Sequence, residues 1–256
     1  MENLHTHTVF SDGKNTPEEM VEAALRLGLE RLGFSDHSCS PQTEDAYACG
    51  MKMEDYPRYQ QEIHRLQEKY AGRLEILCGL EQDLDSPPPP EGFDYLIGSV
   101  HLLSPNGHWF SVDESPEAFR RALEEDYGGD PYALCEDYYQ AEIRLADLPC
   151  DIIGHFDLVT KFNENNAFFD ENHPRYQAAR KAALDVLLKT GRPFEVNTGA
   201  ISRGWRKSPY LSSGAAEYIR QQGGRLLLSS DSHATDTLIC GFREWQFLVN
   251  ETVWKK

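Results

Sequence analysis

The stretch Thr16-Pro-Glu-Glu19-Met20-Val-Glu-Ala-Ala24-Leu-Arg-Leu-Gly28-Leu-Glu-Arg31-Leu-Gly-Phe34-Ser35 sets the architecture of this chain. Thr16 can cap a helix, Pro17 suits its first turn, and Glu19 completes a capping box. Met20, Ala23, Ala24 and Leu27 then recur at helical spacing, and Gly28 is the natural stop. A short apolar segment, Arg31–Ser35, follows with the length and flanks of a strand. Working outward, the same alternation repeats. Strand segments are predicted at Asn3–His5, Arg31–Ser35, Leu74–Leu80, Tyr95–Val100, Asp151–Gly154, Pro193–Asn197 and Arg225–Ser230. Helices are predicted near 55–70, 116–147 with a break at Gly128, Gly129 and Pro131, 174–189 and 213–222. The 81–94 connection, with prolines at 87–90, reads as a loop. Strands alternating with helices make this an α/β chain with a parallel sheet.

The 256 residues, 40% hydrophobic and 26% charged, can bury a sizeable core, and no repeat or linker divides them, so residues 1–256 are expected to form a single domain. Lys and Arg number 25 against 42 Asp and Glu, a net charge of −17 that repels nucleic-acid backbones and argues against a nucleic-acid partner. The six cysteines form no Cys-x-x-Cys pair, which suits reduced thiols. The opening Met-Glu-Asn-Leu-His lacks the features of a signal peptide, so a cytoplasmic location is expected. The longest stretch without a charged side chain, 95–112, carries His101, Ser104, Asn106 and His108, unsuited to lipid, and no membrane association is expected.

Chemistry concentrates at the strand ends. Alternation along a strand puts residues i and i+2 on one face, so His5 and His7 can serve one ion, and Asp231 and His233 repeat that spacing. Either pair alone carries little weight. However, His37, Glu81, His101 and His155 each stand where an apolar strand is predicted to end, and parallel α/β folds gather their ligand sites there. Asp12, in Ser-Asp-Gly, reads locally as a turn residue or a ligand. A His, Asp and Glu set without cysteine selects divalent Zn, Mn or Fe, and nine such side chains exceed the needs of one ion. His64 reads as a solvated helix face, His173 as a helix-entry residue, and His108 as a loop residue within reach of substrate.

The motifs His5-Thr-His7, Asp12, Ser-Asp-His37, Gly-Leu-Glu81, Ser-Val-His101, Gly-His155-Phe-Asp157 and Ser-Asp231-Ser-His233 resemble, in order, those of the polymerase and histidinol phosphatase (PHP) family of metal-dependent phosphoesterases. The resemblance implies a distorted barrel of seven parallel strands with helices outside and three metal ions at its carboxyl-end face. By that analogy His5, His7, Glu81 and Asp231 hold one ion. Glu81 bridges to a second with His101 and His155, and Asp12, His37 and His233 hold a third. The segments 154–163 and 195–206 look most like the histidinol-phosphatase members.

The resemblance further implies hydrolysis of a small phosphorylated substrate, L-histidinol phosphate, by attack of a metal-bridging hydroxide. Arg203, Arg206 and Lys207 concentrate positive charge, and the arginines, Arg203 ahead of Arg206, are expected to contact phosphate, while Glu195 and Asn197 share a strand face from which they can orient ligands or substrate. Asp157 is one candidate donor of the leaving-group proton. Two other readings stay open, a phosphodiesterase acting on nucleotides or oligonucleotides, and a noncatalytic metal-binding module.

Overall fold

The computed structural model describes residues 1–39 and 49–249. In chain order the elements are β1 (Glu2–Asn3), α1 (Pro17–Leu27), β2 (Arg31–Phe34), α2 (Tyr56–Lys69), β3 (Glu75–Asp83), β4 (Tyr95–Ser99), β5 (Leu102–Leu103), β6 (Phe110–Ser111), α3 (Pro116–Glu125) and α4 (Pro131–Arg144). They continue with β7 (Ile152–Ile153), α5 (Pro174–Leu187), β8 (Phe194–Asn197), α6 (Gly199–Ser202), α7 (Ser213–Gln221), β9 (Leu226–Ser229) and α8 (Phe242–Trp245). All seven predicted strands form, and they run parallel in the order β1-β2-β3-β4-β7-β8-β9. The first and last edges meet through a parallel bridge between Thr6 and Ser232, where the His7 N–H donates to Ser232 O at 2.8 Å. The sheet is therefore a nearly closed seven-stranded barrel with helices outside.

The predicted capping box of α1 is present: Glu19 N–H donates to Thr16 Oγ1 at 3.3 Å, and Thr16 N–H to Glu19 Oε2 at 2.8 Å. Gly28 ends the helix at φ 74°. The long 116–147 segment divides into α3 and α4, as the Gly128-Gly129 break anticipates, because the Asp130 side chain accepts the Tyr132 and Ala133 N–H groups and starts a new helix. The short helices α6 and α8 were not predicted, and two further features near the site differ from the sequence reading. Strand β3 runs on through Glu81 to Asp83 instead of stopping before 81, since Gln82 and Asp83 are buried and stay paired with β4. Residues 102–111 also carry a small antiparallel hairpin, β5–β6, too short to leave a periodic pattern.

Inside the barrel, Leu4, Tyr95, Ile97, Ile152 and Leu227 form the floor beneath the site. Tyr95 fills the centre and donates to Leu4 O and Phe34 O. Its side chain leaves no room for a neighbour: a Cβ on Gly33 would collide with the Tyr95 hydroxyl and one on Gly79 with the Tyr95 ring. Outside, one apolar cluster seats α1 and α2 on the first strands and a second seats α3, α4, α5 and α7 on the rest. Among the described residues, no helix is long and apolar enough to cross a membrane.

The second cluster encloses the carboxyl group of Glu142 on α4, which accepts a hydrogen bond from Tyr138 at 2.7 Å. Burial pushes this carboxyl well up and the Tyr138 hydrogen bond only partly opposes it. Because the folded-state pKa lies above the unfolded one, stability is fully present below the unfolded value, about 4.3, and is lost as pH rises toward the folded value. Glu142→Gln is expected to raise the melting temperature more at pH 8 than at pH 4. A pH-independent difference in thermal melts would contradict this.

Candidate metal centre

The backbone places the predicted donors in adjacent pairs. The Thr6–Ser232 bridge sets His5 and His7 beside Asp231 and His233, and a second parallel bridge sets His37 beside Glu81. His101 and His155 lie two residues beyond the ends of β4 and β7. Asp12 arrives on a loop fixed by Asp36, whose carboxylate accepts the Thr8 N–H and the Ser11 hydroxyl, both at 2.7 Å. The ligand atoms of His7, Asp12, His37 and His233 all lie within 4.8 Å of one another, as do those of His5, His7 and Glu81, of His5, His155 and Asp231, and of His37, Glu81 and His101.

Glu81 is the hub. Its Oε2 lies 3.2 Å from His5 Nε2, 3.6 Å from His7 Nε2 and 2.8 Å from His37 Nδ1, while its Oε1 lies 3.4 Å from His101 Nε2 and 2.8 Å from His155 Nε2. Asp231 Oδ1 stands 3.2 Å from His7 Nε2, on a backbone at φ 49° that costs a residue with a Cβ about 1–2 kcal/mol. Asp12 Oδ1 is 3.1 Å from His233 Nε2 and 3.7 Å from His37 Nε2.

Buried acids and rings set one another's charge. Against burial, Glu195 and Glu81 lift His5 well above its ordinary value, and Glu81 and Asp12 lift His37 to about 9, so cations entering here displace protons from those rings. Burial opposes ionisation of Glu81, yet His5, His37 and His101 hold its carboxyl well below the usual range. Burial likewise opposes ionisation of Asp231, and Arg203 and His5 outweigh it. Burial, helped by His233 and His37, lowers His7 well below its ordinary value and leaves it neutral, the form that can ligate. His5 Nε2, both ring nitrogens of His7, Glu81 Oε2 and His155 Nδ1 are buried without a hydrogen bond. Buried polar atoms are rarely left so, and a set of His, Asp and Glu donors with unused lone pairs fits divalent metal ions.

A layer behind the donors fixes their orientation. His5 Nδ1 lies 2.9 Å from Glu195 Oε1, and Glu195 also accepts the His155 N–H at 3.0 Å. His101 Nδ1 lies 3.0 Å from Asp83 Oδ2. Sequence reasoning singled out Glu195 but missed Asp83, whose one signal is its i+2 spacing from Glu81, concealed by ending the strand too early. Asp83→Asn is expected to weaken metal binding about 10- to 100-fold, the usual cost of losing such an orienting carboxylate. Metal titration of the variant would show wild-type affinity if this role were wrong.

The cluster opens onto a cavity of about 420 Å³, lined also by Ser111, Asp113, Glu114, Leu158, Lys161, Arg203 and Tyr210. Arg203 Nη2 reaches Asp231 Oδ1 at 3.2 Å and His233 Nδ1 at 2.9 Å. Lys161 Nζ donates to Asp113 Oδ2 at 2.9 Å, and burial pushes the Tyr210 phenol well up, with Arg203 pulling the other way. Lys161, Asp113 and Tyr210 carry no distinctive spacing and were not legible before the loops were placed.

Two expectations need correction. Arg206 does not line the cavity: it is tied to Glu171 Oε1 at 2.9 Å and Thr160 O at 2.7 Å, because the chain turns between it and Arg203. Asp157 also faces away from the cavity, accepting from the Tyr139 hydroxyl at 2.7 Å and the Ser212 N–H at 3.3 Å. Lys207 packs its N–H against Glu164 on an exposed loop. His64 and His108 are exposed, and His173 caps α5 while stacking on Tyr132.

Comparison with known proteins agrees with this geometry. A Deinococcus radiodurans protein named a probable histidinol-phosphatase is 35% identical over 93% of this chain and 88% of its own. A solved Listeria monocytogenes chain superposes with a TM-score of 0.85 at 21% identity, covering 96% of this chain and all of that one. The histidinol phosphate phosphatase of Lactococcus lactis, solved with zinc, L-histidinol and phosphate, gives a TM-score of 0.70 at 22% identity over 96% of this chain and 91% of that one. The PHP domain model matches residues 3–199, the stretch that carries seven of the nine clustered donors and most of the barrel. With the remaining two donors, Asp231 and His233, brought against His5 and His7 by the closing bridge, the chain belongs to the PHP domain family.

Proposed function

We propose that this protein is a metal-dependent phosphomonoesterase that hydrolyses L-histidinol phosphate to L-histidinol and phosphate. The observation that carries the reading is the two-faced Glu81 carboxylate, set among histidines on both sides, of which His37, His101 and His155 line a cavity that also presents Arg203. His5, His7, Glu81 and Asp231 are assigned to one ion, Glu81, His101 and His155 to a second, and Asp12, His37 and His233 to a third, with Zn, Mn or Fe as the metal. Such ions supply Lewis acidity toward phosphoryl oxygens and make water nucleophilic at neutral pH.

The chain's own residues supply the rest. Arg203 is placed to hold phosphoryl oxygens through its planar fork, and the buried donors keep the phosphorus end of the substrate against the cluster. Asp113 and Glu114, across the cavity lining, complement the amine and imidazole of the substrate. The 35%-identical relative supports the choice of substrate. A cysteine pattern without a Cys-x-x-Cys pair suits a reducing cytoplasm, where we place the protein.

Protein reconstituted with Mn²⁺ or Zn²⁺ and offered L-histidinol phosphate, a nucleoside monophosphate and a phosphodiester in parallel tests the assignment. The expected result is a kcat/KM for L-histidinol phosphate at least ~100-fold above the others, with three metal ions per chain by elemental analysis. Preferred cleavage of the diester would make the protein a phosphodiesterase. Retention of metal without turnover of any substrate would make it a binding module.

A further inference from the structure

Tyr210 lies in the wall of the cavity, 1% exposed, with its ring edge-on to His155 at 6.1 Å between centroids. Its hydroxyl is buried and makes no hydrogen bond. The segment that carries it is held at a cost: the Tyr210 N–H donates to Asn197 O at 2.9 Å across an antiparallel bridge, and Leu211, fully buried, adopts a left-handed backbone at φ 71°. The Ser212 N–H is then caught by Asp157, which explains what that carboxylate does at the back of the site. Strain of this kind persists where the surrounding structure over-determines a side chain.

Two other donors on the cavity wall are committed: Ser111 Oγ donates to Asp113 at 2.7 Å and Lys161 to Asp113 at 2.9 Å. We propose that Tyr210 is a further catalytic residue, whose hydroxyl donates a hydrogen bond to a phosphoryl oxygen of the bound substrate. The inference rests on the phosphomonoesterase reading. The proton stays on the phenol, so no bond to Oη forms or breaks. The hydroxyl stabilises charge on the phosphoryl group beside Arg203.

Tyr210→Phe removes a hydroxyl with no partner in the protein, so the melting temperature and metal content are expected to hold or rise. The variant should lose about 10- to 100-fold in kcat/KM for L-histidinol phosphate, the size of a hydrogen bond to a charged group. Calorimetry with inorganic phosphate on the metal-loaded protein should show binding weakened by about tenfold or more, with L-histidinol binding unchanged. Phosphate binding and kcat/KM within about twofold of wild type would overturn the proposal. A parallel loss of metal or of L-histidinol binding would also overturn it, by making the role structural. Failure of the phosphomonoesterase reading registers separately, as wild-type protein that releases no phosphate, while the phosphate calorimetry still reads Tyr210.

Discussion

Replacing Glu81 with Gln is expected to strip metal from the protein and to lower turnover by roughly 10³-fold or more, ~4 kcal/mol on the barrier. The side chain is 1% exposed and its two oxygens face different histidine groups, His5, His7 and His37 on one side and His101 and His155 on the other. Gln keeps the volume, so packing changes little. It removes the negative charge that neighbouring histidines hold ionised against burial, and it turns one face from an acceptor into an N–H donor, which repels a cation. In the proposed assignment this carboxylate serves two ions, so elemental analysis should show more than one ion lost per chain. Wild-type stoichiometry and turnover in the variant would remove Glu81 from the centre.

Arg203→Ala should instead leave metal content near wild type and lower kcat/KM about 10²- to 10³-fold, as removal of one donor to developing charge does elsewhere. The guanidinium touches Asp231 and His233 but supplies no lone pair, so all nine donors survive its loss. What would disappear under the proposed function is a planar two-donor grip on phosphate. Arg203→Lys should recover only part of the loss, since an ammonium keeps the charge without the fork. Steady-state kinetics with metal analysis on both variants decides it. An unchanged kcat/KM in Arg203→Ala would confine the arginine to supporting Asp231.

Sequence and structure meet most closely along the strands. The segment around Phe34 was legible because its flanks, Gly28 before it and a polar run after it, mark its limits, and a strand four residues long is positioned by its apolar content alone. β7 was legible for the same reason although only Ile152 and Ile153 pair. The hairpin β5–β6 was not, because two residues per strand carry no period and its pairing depends on where Val112 and His101 meet. Asp113 and Lys161 escaped notice for a related reason: they stand 48 residues apart and become partners only when the loops after β6 and β7 close over the same opening.

The two arginines show the limit most plainly. Arg203 and Arg206 are both charges in one basic stretch, and although Arg203 was expected to contact phosphate ahead of Arg206, no local rule fixes where either goes. In the fold, Arg203 follows the four-residue helix α6 toward Asp231, while Arg206 leaves past Gly204, at φ 75°, toward Thr160 and Glu171.

What the sequence determined by itself was the order of strands and helices, and with it the placing of His5, His7, His37, His101, His155, Asp231 and His233 at or just past strand ends. Periodicity and capping are local interactions that each segment carries wherever it lies. Only the tertiary structure decided which face of Glu81 meets which histidine, that Asp83 stands behind His101, and that Tyr210 rather than Asp157 lines the cavity. Those facts depend on the register of distant strands and on a barrel closed by one bridge between residues 6 and 232, a pairing that no stretch of neighbouring residues encodes.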